Sequence, residues 1–503
     1  MDKLGKVVLV GAGPGDLGLM TIRGQEYLKK ADCIVYDRLL NPKLLSIAPE
    51  GCEKIFVGKE KHLHTLPQEK INELLYEKAC DHRIVVRLKG GDPYVFGRGA
   101  EEALYLIDKG VRVEVVPGIS SSIAAAAASG IPVTHRGVAK GFQVITAHSK
   151  TDSLSDIDFG QLTDETVTYI FLMGLSHVGE IARGLISVGR KNSTPVAVIS
   201  NGTTEHQKKV VSTLAGIEEA VASSGINSPA IIVVGDVVGL EKELCFFEKR
   251  PLFGSKIFLP VIRGFDYALG EKRTSFFEND LEEKLTEQGA EVVTVCSGRI
   301  RPLKCDMHFL NTLKKDSFIV FTSANGVKAF FWNLFEVNDL DLRALSNVKF
   351  ACIGQKTAST LRGFGFKTDI IPEKQTGEGL ALLLNKHIDP ESEIYWFCQK
   401  NTSELFEKNI DSRVILTKII CYENEQLIDT IDDPAIENVK TCDMAIFTSG
   451  SNAAFSIEKF GRALPDKIIS IGPACSKMIT GSGYEVFKEA KVSSYEGIME
   501  LLL

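Results

Sequence analysis

The sequence predicts an α/β protein built in two unlike halves. Short apolar runs at residues 7–10, 33–36, 83–88 and 113–116 each end in a polar or glycine-rich loop. Helical stretches follow most of these loops, which is strand–loop–helix alternation. The pattern changes between residues 241 and 254, where Lys249-Arg250-Pro251-Leu252-Phe253-Gly254 reads as a linker. Beyond it the chain repeats: Gly354, Gly365 and Gly379 recur as Gly472, Gly483 and Gly497, each pair 118 residues apart. Ile319-Val320-Phe321-Thr322-Ser323 recurs as Ala445-Ile446-Phe447-Thr448-Ser449. A repeat in this register predicts two similar α/β lobes with a cleft between them.

The 503 residues imply two or three domains, and 44% hydrophobic residues supply ample core. The net charge of −7 argues against general nucleic-acid binding but leaves room for an anionic substrate held by local basic loops. Eleven cysteines without a Cys-x-x-Cys pair suggest neither a zinc site nor a disulfide framework. Such thiols are expected in a cytoplasmic protein. The first residues lack a signal-peptide layout, and no apolar run reaches membrane-spanning length. His62 and His64 lie close together without a third ligand, so no metal is expected.

The first strand, residues 7–10, runs into Gly11-Ala12-Gly13-Pro14-Gly15-Asp16 and a helix at about 21–30. A dinucleotide fingerprint requires glycine where Asp16 stands. A degenerate nucleotide loop, something else and a structural turn all remain open for it. Strand 33–36 ends in Asp37-Arg38, and Lys59 follows Phe56-Val57-Gly58 at another strand end. A carboxylate at a strand's carboxyl end suits acid–base work, although such residues also cap turns.

The first half is organised around Lys89-Gly90-Gly91-Asp92-Pro93-Tyr94-Val95-Phe96-Gly97-Arg98-Gly99-Ala100-Glu101-Glu102. It joins a buried strand to a helix read at 103–109, the position where α/β sheets bind ligands. Its four glycines let backbone groups approach a ligand closely. Next come strand 113–116, Pro117-Gly118-Ile119-Ser120-Ser121-Ser122 and an alanine-rich helix, whose small side chains leave N–H groups open. Further strands are expected at 166–173, 195–200, 210–211 and 230–234, with helices at 177–188 and 214–224.

These motifs, with Tyr36-Asp37-Arg38-Leu39, Gly130-Ile131-Pro132-Val133-Thr134-His135-Arg136-Gly137 and Ser228-Pro229-Ala230, resemble uroporphyrinogen-III C-methyltransferases of the tetrapyrrole methyltransferase family from Gly5 to about Leu240. The resemblance implies a two-lobed α/β fold, different from the Rossmann methyltransferases, with S-adenosylmethionine held between the lobes. Carried over motif by motif, the cofactor contacts are Pro14, Gly90, Gly91, Asp92, Val95, Ser120, Ser121, Met173 and Gly202, with Ala147 and Ala230 as neighbours. The family's base and acid fall on Asp37 and Lys59. Arg38, Lys89, Arg98 and Arg136 lie on the motif loops and are expected to clamp substrate carboxylates. Members of this family are commonly dimers, so a homodimer through this half is compatible with the resemblance.

The second half resembles uroporphyrinogen-III synthases from about Arg250 to Leu503, through Arg250-Pro251-Leu252-Phe253-Gly254, Phe321-Thr322-Ser323-Ala324-Asn325-Gly326-Val327 and Ile353-Gly354-Gln355-Lys356-Thr357-Ala358. The resemblance implies a bilobed fold, one lobe formed by about 250–297 plus 421–503 and the other by 298–420. Crossings are expected near Ser297 and Cys421. The family cyclises hydroxymethylbilane with inversion of the last ring, and its assisting tyrosine falls on Tyr422. Ser323, Asn325, Thr357 and Ser449 line the matching turns and are expected to bind substrate carboxylates; ordinary turn formation is the alternative for each. Departures from the family pattern occur at Phe397-Cys398-Gln399-Lys400-Asn401 and Ala474-Cys475.

Taken together, the resemblances imply one bifunctional enzyme, with residues 1–245 as the methyltransferase and 250–503 as the synthase. It would convert hydroxymethylbilane to uroporphyrinogen III and methylate that product at C2 and C7 to precorrin-2, toward sirohaem or cobalamin. Three rivals stand beside this reading. The first half could act on a later corrin precursor, or be an oxidoreductase if its first loop holds a dinucleotide. The second half could be a degenerate synthase that only binds tetrapyrroles.

Overall fold

The computed structural model describes residues 4–503 apart from 59–65, 148–153, 155–156, 266, 269–274, 315–316, 347, 390–391, 428–430 and 432. It divides into two compact units: Met1–Ser255 with Ser275–Glu291, and Lys256–Thr274 with Val292–Leu503.

The first unit opens with five parallel strands: β1 (Lys6–Gly11), β2 (Cys33–Tyr36), β3 (Glu53–Phe56), β4 (Ile84–Lys89) and β5 (Arg112–Val116). Their order in the sheet is β3-β2-β4-β1-β5. The inner strands β1 and β2 are apolar almost throughout because both faces are covered, whereas the edge strands β3 and β5 carry charged residues. Val7, Leu9, Val35 and Val85 face one core with helices α2 (Gln68–Asp81) and α3 (Gly99–Asp108). Val8, Val10, Ile34 and Val86 face the other, which includes Leu28 of α1 (Ile22–Leu28). The two-residue alternation of a strand assigns these sides. Helix α3 begins at Gly99, four residues before the sequence pattern places it, because the glycine-rich turn itself winds into the first helical turn.

A second sheet follows: β6 (Gly141–Thr146), β7 (Val167–Leu172), β8 (Pro195–Ser200), β9 (Lys208–Thr213) and β10 (Ala230–Val234). Its order is β6-β7-β10-β8-β9. Only β6 and β7 run parallel; β10 and β9 are antiparallel to their neighbours. Helix α4 (Ser121–Ala128) leaves the first sheet and packs Ala125 and Ala126 against Ile170 and Ile199 of the second. Alanines permit this close seating, since larger side chains would hold helix and sheet apart.

Residues beyond the linker also join the first unit. Phe276 and Phe277 pack on its core, and the buried Glu282 of the helix Asp280–Glu287 accepts from Lys43 Nζ at 2.6 Å.

The second unit is one nine-stranded sheet: β11 (Lys256–Arg263), β12 (Glu291–Pro302), β13 (Phe318–Phe321), β14 (Lys349–Cys352), β15 (Glu393–Gln399), β16 (Ile415–Gln426), β17 (Met444–Phe447), β18 (Lys467–Ser470) and β19 (Lys488–Glu489). The order is β14-β13-β15-β16-β12-β11-β17-β18-β19. The long strands β12 and β16 pair antiparallel at its middle and contain Ser297 and Cys421. On either side the repeat appears as matched helix starts. Ser323 and Ser449 cap the helices Ala324–Trp332 and Gly450–Phe460. Gly354 and Gly472 precede Gln355–Gly363 and Pro473–Gly481, and Thr376 and Ser494 cap Gly377–Leu384 and Tyr495–Leu502. Each hydroxyl cap accepts an N–H that the first helical turn would otherwise leave unpaired. Among the described residues no helix is long and apolar enough to cross a membrane.

Candidate functional site

The carboxyl ends of β4, β1 and β5 lie side by side, so their loops converge. Gly91 N–H donates to Gly13 O at 2.8 Å, and Gly13 N–H to Gly91 O at 3.2 Å. A Cβ on Gly118 would fall 2.1 Å from Gly91 O, and one on Gly11 would fall 2.5 Å from Gly118 Cα. Side chains cannot occupy these positions, so the three strand ends form a cradle floored by backbone. Asp92 locks it: Oδ2 accepts from Gly118 N–H at 3.0 Å and Oδ1 from Tyr94 N–H at 2.8 Å. Ser120 caps α4 beside this floor, with its Oγ 2.9 Å from Ser122 Oγ. Tyr94, Val95 and Phe96 are exposed apolar residues on the same loop. Phe96 and Arg98 hold positive φ of 53° and 56°, an unusual density of constrained backbone.

The second sheet sends its loops to the same place. Met173, Asn201 and Thr203 have φ of 58°, 47° and 70° at the ends of β7 and β8. Asp16 N–H donates to Thr203 Oγ1 at 3.3 Å, which ties the first glycine loop to the turn after β8. A Cβ on Gly202 would meet Ala125 Cβ at 2.3 Å, so this turn rests directly on α4. Ala147 is buried, its N–H donating to Leu172 O at 2.9 Å, and Ala230 begins β10 opposite Ser200. The sequence motifs at 13–16, 90–99, 118–121 and 201–203 therefore meet around one cradle.

Asp37 stands at the end of β2, half-buried beside this cradle, with Oδ1 accepting from Leu39 N–H at 3.2 Å. Its Oδ2 accepts from Arg87 Nη2 at 3.3 Å. Arg87 is buried in β4 and donates from Nε to Glu102 Oε1 at 3.2 Å. Lys89 Nζ donates to the same oxygen at 2.9 Å, and Gln68 Nε2 at 3.2 Å.

This corrects the expectation for Lys89. Its ammonium turns inward and is paired, so it is not presented to a substrate carboxylate. Burial lowers its pKa, the neighbouring Arg87 adds to that effect, and Glu102 opposes it. Arg87 was not singled out from the sequence, and Glu102 stood at the end of the organising stretch without a role of its own. The available signals were an arginine inside an otherwise apolar strand and a glutamate on the buried face of a helix. Arg98 lies at the surface, paired with Glu101 at 2.7 Å. Arg38 is exposed next to the half-buried Asp37, and Arg136 is exposed in the turn closed by His135 and Ala139. Lys59, like His62 and His64, lies outside the described residues.

In the second unit Tyr422 lies in β16, 5% exposed, with its hydroxyl 2.7 Å from Ser323 Oγ. Ser323 also accepts from Gly326 N–H at 3.0 Å. Burial pushes the Tyr422 phenol up to about 12, so it stays protonated at neutral pH. Asn325 is half-buried in the first turn of the same helix. Thr357 is buried in the helix after Gly354, and Ser449 caps the equivalent helix across the repeat.

Cys33, Glu53 and His82 form a group with mutual ligand-atom distances within 4.8 Å, at the opposite end of the first sheet from the cradle. Lys78 Nζ donates to both Glu53 oxygens at 2.8 and 2.9 Å, and burial pushes the Cys33 thiol up to about 12. This group is an ion-pair cluster centred on Glu53.

Residues 6–218 match the family of tetrapyrrole (corrin/porphyrin) methylases, and residues 279–500 match uroporphyrinogen-III synthase HemD. Two relatives span both parts. The porphyrin biosynthesis protein HemD of Ruminiclostridium josui is 38% identical over 393 residues, 78% of this chain and 75% of that protein. The uroporphyrinogen-III C-methyltransferase of Bacillus subtilis (strain 168) is 40% identical over 375 residues, 74% of each. Among solved structures, uroporphyrin-III C-methyl transferase from Thermus thermophilus complexed with S-adenyl homocysteine is 38% identical. That match covers 46% of this chain and 93% of the other, with a TM-score of 0.41.

Proposed function

The chain belongs to the tetrapyrrole (corrin/porphyrin) methylases carrying a uroporphyrinogen-III synthase on the same polypeptide, and we propose that it performs two consecutive steps on one macrocycle. The part assigned to residues 250–503 cyclises hydroxymethylbilane to uroporphyrinogen III. The part assigned to residues 1–245 methylates that product at C2 and C7 to precorrin-2. The observation that carries this reading is the convergence of the 13–16, 90–99, 118–121 and 201–203 loops on one backbone-floored cradle.

The cradle suits S-adenosylmethionine. Gly11, Gly91 and Gly118 leave a floor without side chains, and the loops offer backbone groups close to a flat ligand. Pro14, Gly90, Gly91, Asp92, Val95, Ser120, Ser121, Ala147, Met173, Gly202 and Ala230 would hold it. When bound, it supplies an activated sulfonium methyl group. A reduced pyrrole carbon is already nucleophilic, so the protein's main tasks are alignment and proton removal. Asp37 takes the macrocycle proton after each transfer, and Lys59 is its acid counterpart. Arg38, Arg98 and Arg136 bind substrate carboxylates. In the synthase, the protonated Tyr422 donates toward the leaving hydroxyl of hydroxymethylbilane, while Ser323, Asn325, Thr357 and Ser449 hold carboxylates. Housing both steps on one chain raises the local concentration of the intermediate.

Supplying uroporphyrinogen III and S-adenosylmethionine anaerobically should give a product carrying two added methyl groups, located on C2 and C7. Methylation elsewhere would assign the first half to another corrin precursor. Binding of NAD in place of the methyl donor would overturn the reading.

A further inference from the structure

Arg87 is a guanidinium placed in the middle of a sheet, on the strand between β1 and β2. Burying such a group costs several kcal/mol before its partners compensate, and an apolar residue of similar size often serves stability as well. Its contacts run in two directions. Inward, Nε donates to Glu102, and Nη1 donates to Leu88 O at 3.1 Å and Val35 O at 3.4 Å. Outward, Nη2 reaches Asp37 Oδ2. Glu102 is fully buried and held by Lys89 and Gln68 as well, which fixes the base of the guanidinium. One oxygen of Glu102, Oε2, has no hydrogen-bond partner although it is buried. Two cations and two carboxylates thus form a neutral group that leaves one acceptor unsatisfied while directing one donor at the loop after β2.

We infer that Arg87 is the positioning residue for Asp37, with Glu102 as its anchor. It holds one carboxylate oxygen so that the other, supported by Leu39 N–H, keeps a single orientation toward the cradle. This rests on the reading of Asp37 as the base. A carboxylate at the end of a strand has free rotation about two side-chain bonds. Without the guanidinium it would sample orientations that do not accept the macrocycle proton. Misplacement of a reacting group by about 1 Å costs on the order of 100-fold in rate.

The test is a double-mutant cycle on methyl transfer to uroporphyrinogen III, using the full chain. Arg87→Met should lower kcat roughly 10- to 100-fold with little change in KM for S-adenosylmethionine. Arg87→Lys should recover part of the loss. In an Asp37→Asn background the Arg87 substitution should have almost no further effect, because its target is gone. Multiplying losses in the double variant, or an unchanged kcat in Arg87→Met, would overturn the inference. Full activity in Asp37→Asn alone would overturn the base reading and the inference with it. Should Arg87→Met fail to fold, Glu102→Gln replaces it in the same cycle. It keeps the side chain's size and weakens the anchor, and the same non-multiplicative loss is expected.

Discussion

The Tyr422 hydroxyl and the Ser323 hydroxyl meet at 2.7 Å, across 99 residues of sequence. One comes from the long middle strand β16 and the other from the cap of the helix after β13. The contact aims a buried, protonated phenol at the turn that the repeat pattern marks as a cleft turn. Tyr422→Phe should therefore slow enzymatic formation of uroporphyrinogen III by roughly 100-fold or more, since a positioned proton donor contributes about 100- to 10,000-fold. Ser323→Ala should have a smaller effect on rate and lower stability by about 1 kcal/mol, since it also removes a helix cap. Stopped assays read by ring isomer check both, and a Tyr422→Phe variant with full activity would remove the tyrosine from the mechanism.

Asp92 spends both oxygens on backbone N–H groups of the cradle, at Gly118 and Tyr94. Asp92→Ala should loosen the floor and weaken S-adenosylhomocysteine binding by roughly 10-fold or more, the worth of a charge-assisted hydrogen bond or two. Titration calorimetry on the variant measures this. Unaltered affinity would mean that the loop is held by its glycines alone.

The close approach of strand ends makes a sharper prediction at Gly118. An added methyl group would overlap Gly91 O at 2.1 Å, and that oxygen belongs to backbone that cannot swing aside. Gly118→Ala should abolish methyl-donor binding and destabilise the first unit by several kcal/mol, as overpacking against backbone does. Gly141→Ala, where nothing lies within 4 Å, is the matched control and should leave binding intact. Thermal melts with and without donor separate the two variants.

Much of this architecture is legible in the chain because apolar strands and glycine loops leave local signatures. The strands Cys33–Tyr36, Pro195–Ser200 and Ala230–Val234 stand where the apolar runs place them. The 118-residue repeat emerges as paired helix starts at Gly354 and Gly472 and at Thr376 and Ser494. What stayed hidden depends on contacts between distant residues. Arg87 reads locally as one charge in a strand, and only the fold puts Asp37 and Glu102 on either side of it. Lys89 sits on a motif loop and looks available, yet Glu102, thirteen residues later, captures it. The segment 275–291 follows the linker in sequence, but Phe276, Phe277 and Glu282 seat it on the first unit.

Glu114 offers a test by pH. Hydrogen bonds from the Lys6 ammonium and the Tyr27 hydroxyl, with help from Arg23, hold its carboxyl down to about 2, against an ordinary value of 4.5, while burial works the other way. A depressed carboxyl stabilises the fold fully above the unfolded value, and that stabilisation fades as pH falls from about 4.5 toward 2. Glu114 is partly exposed, so solvent screening reduces the effect to about 2 kcal/mol. Glu114→Gln should lose about that much at pH 7, and the gap to the parent should narrow below pH 4.5. A gap that stays constant with pH would show that the pair with Lys6 contributes nothing.

The measurement closest to the central claim is anaerobic turnover of hydroxymethylbilane by the purified chain, with and without S-adenosylmethionine. Products are identified by mass and ring isomer, since the linear substrate also closes unaided to the uninverted isomer. Two working halves predict isomer III without the donor and its dimethylated product with it. Only the uninverted isomer, in both conditions, would contradict a working synthase and leave the second half as a tetrapyrrole-binding module.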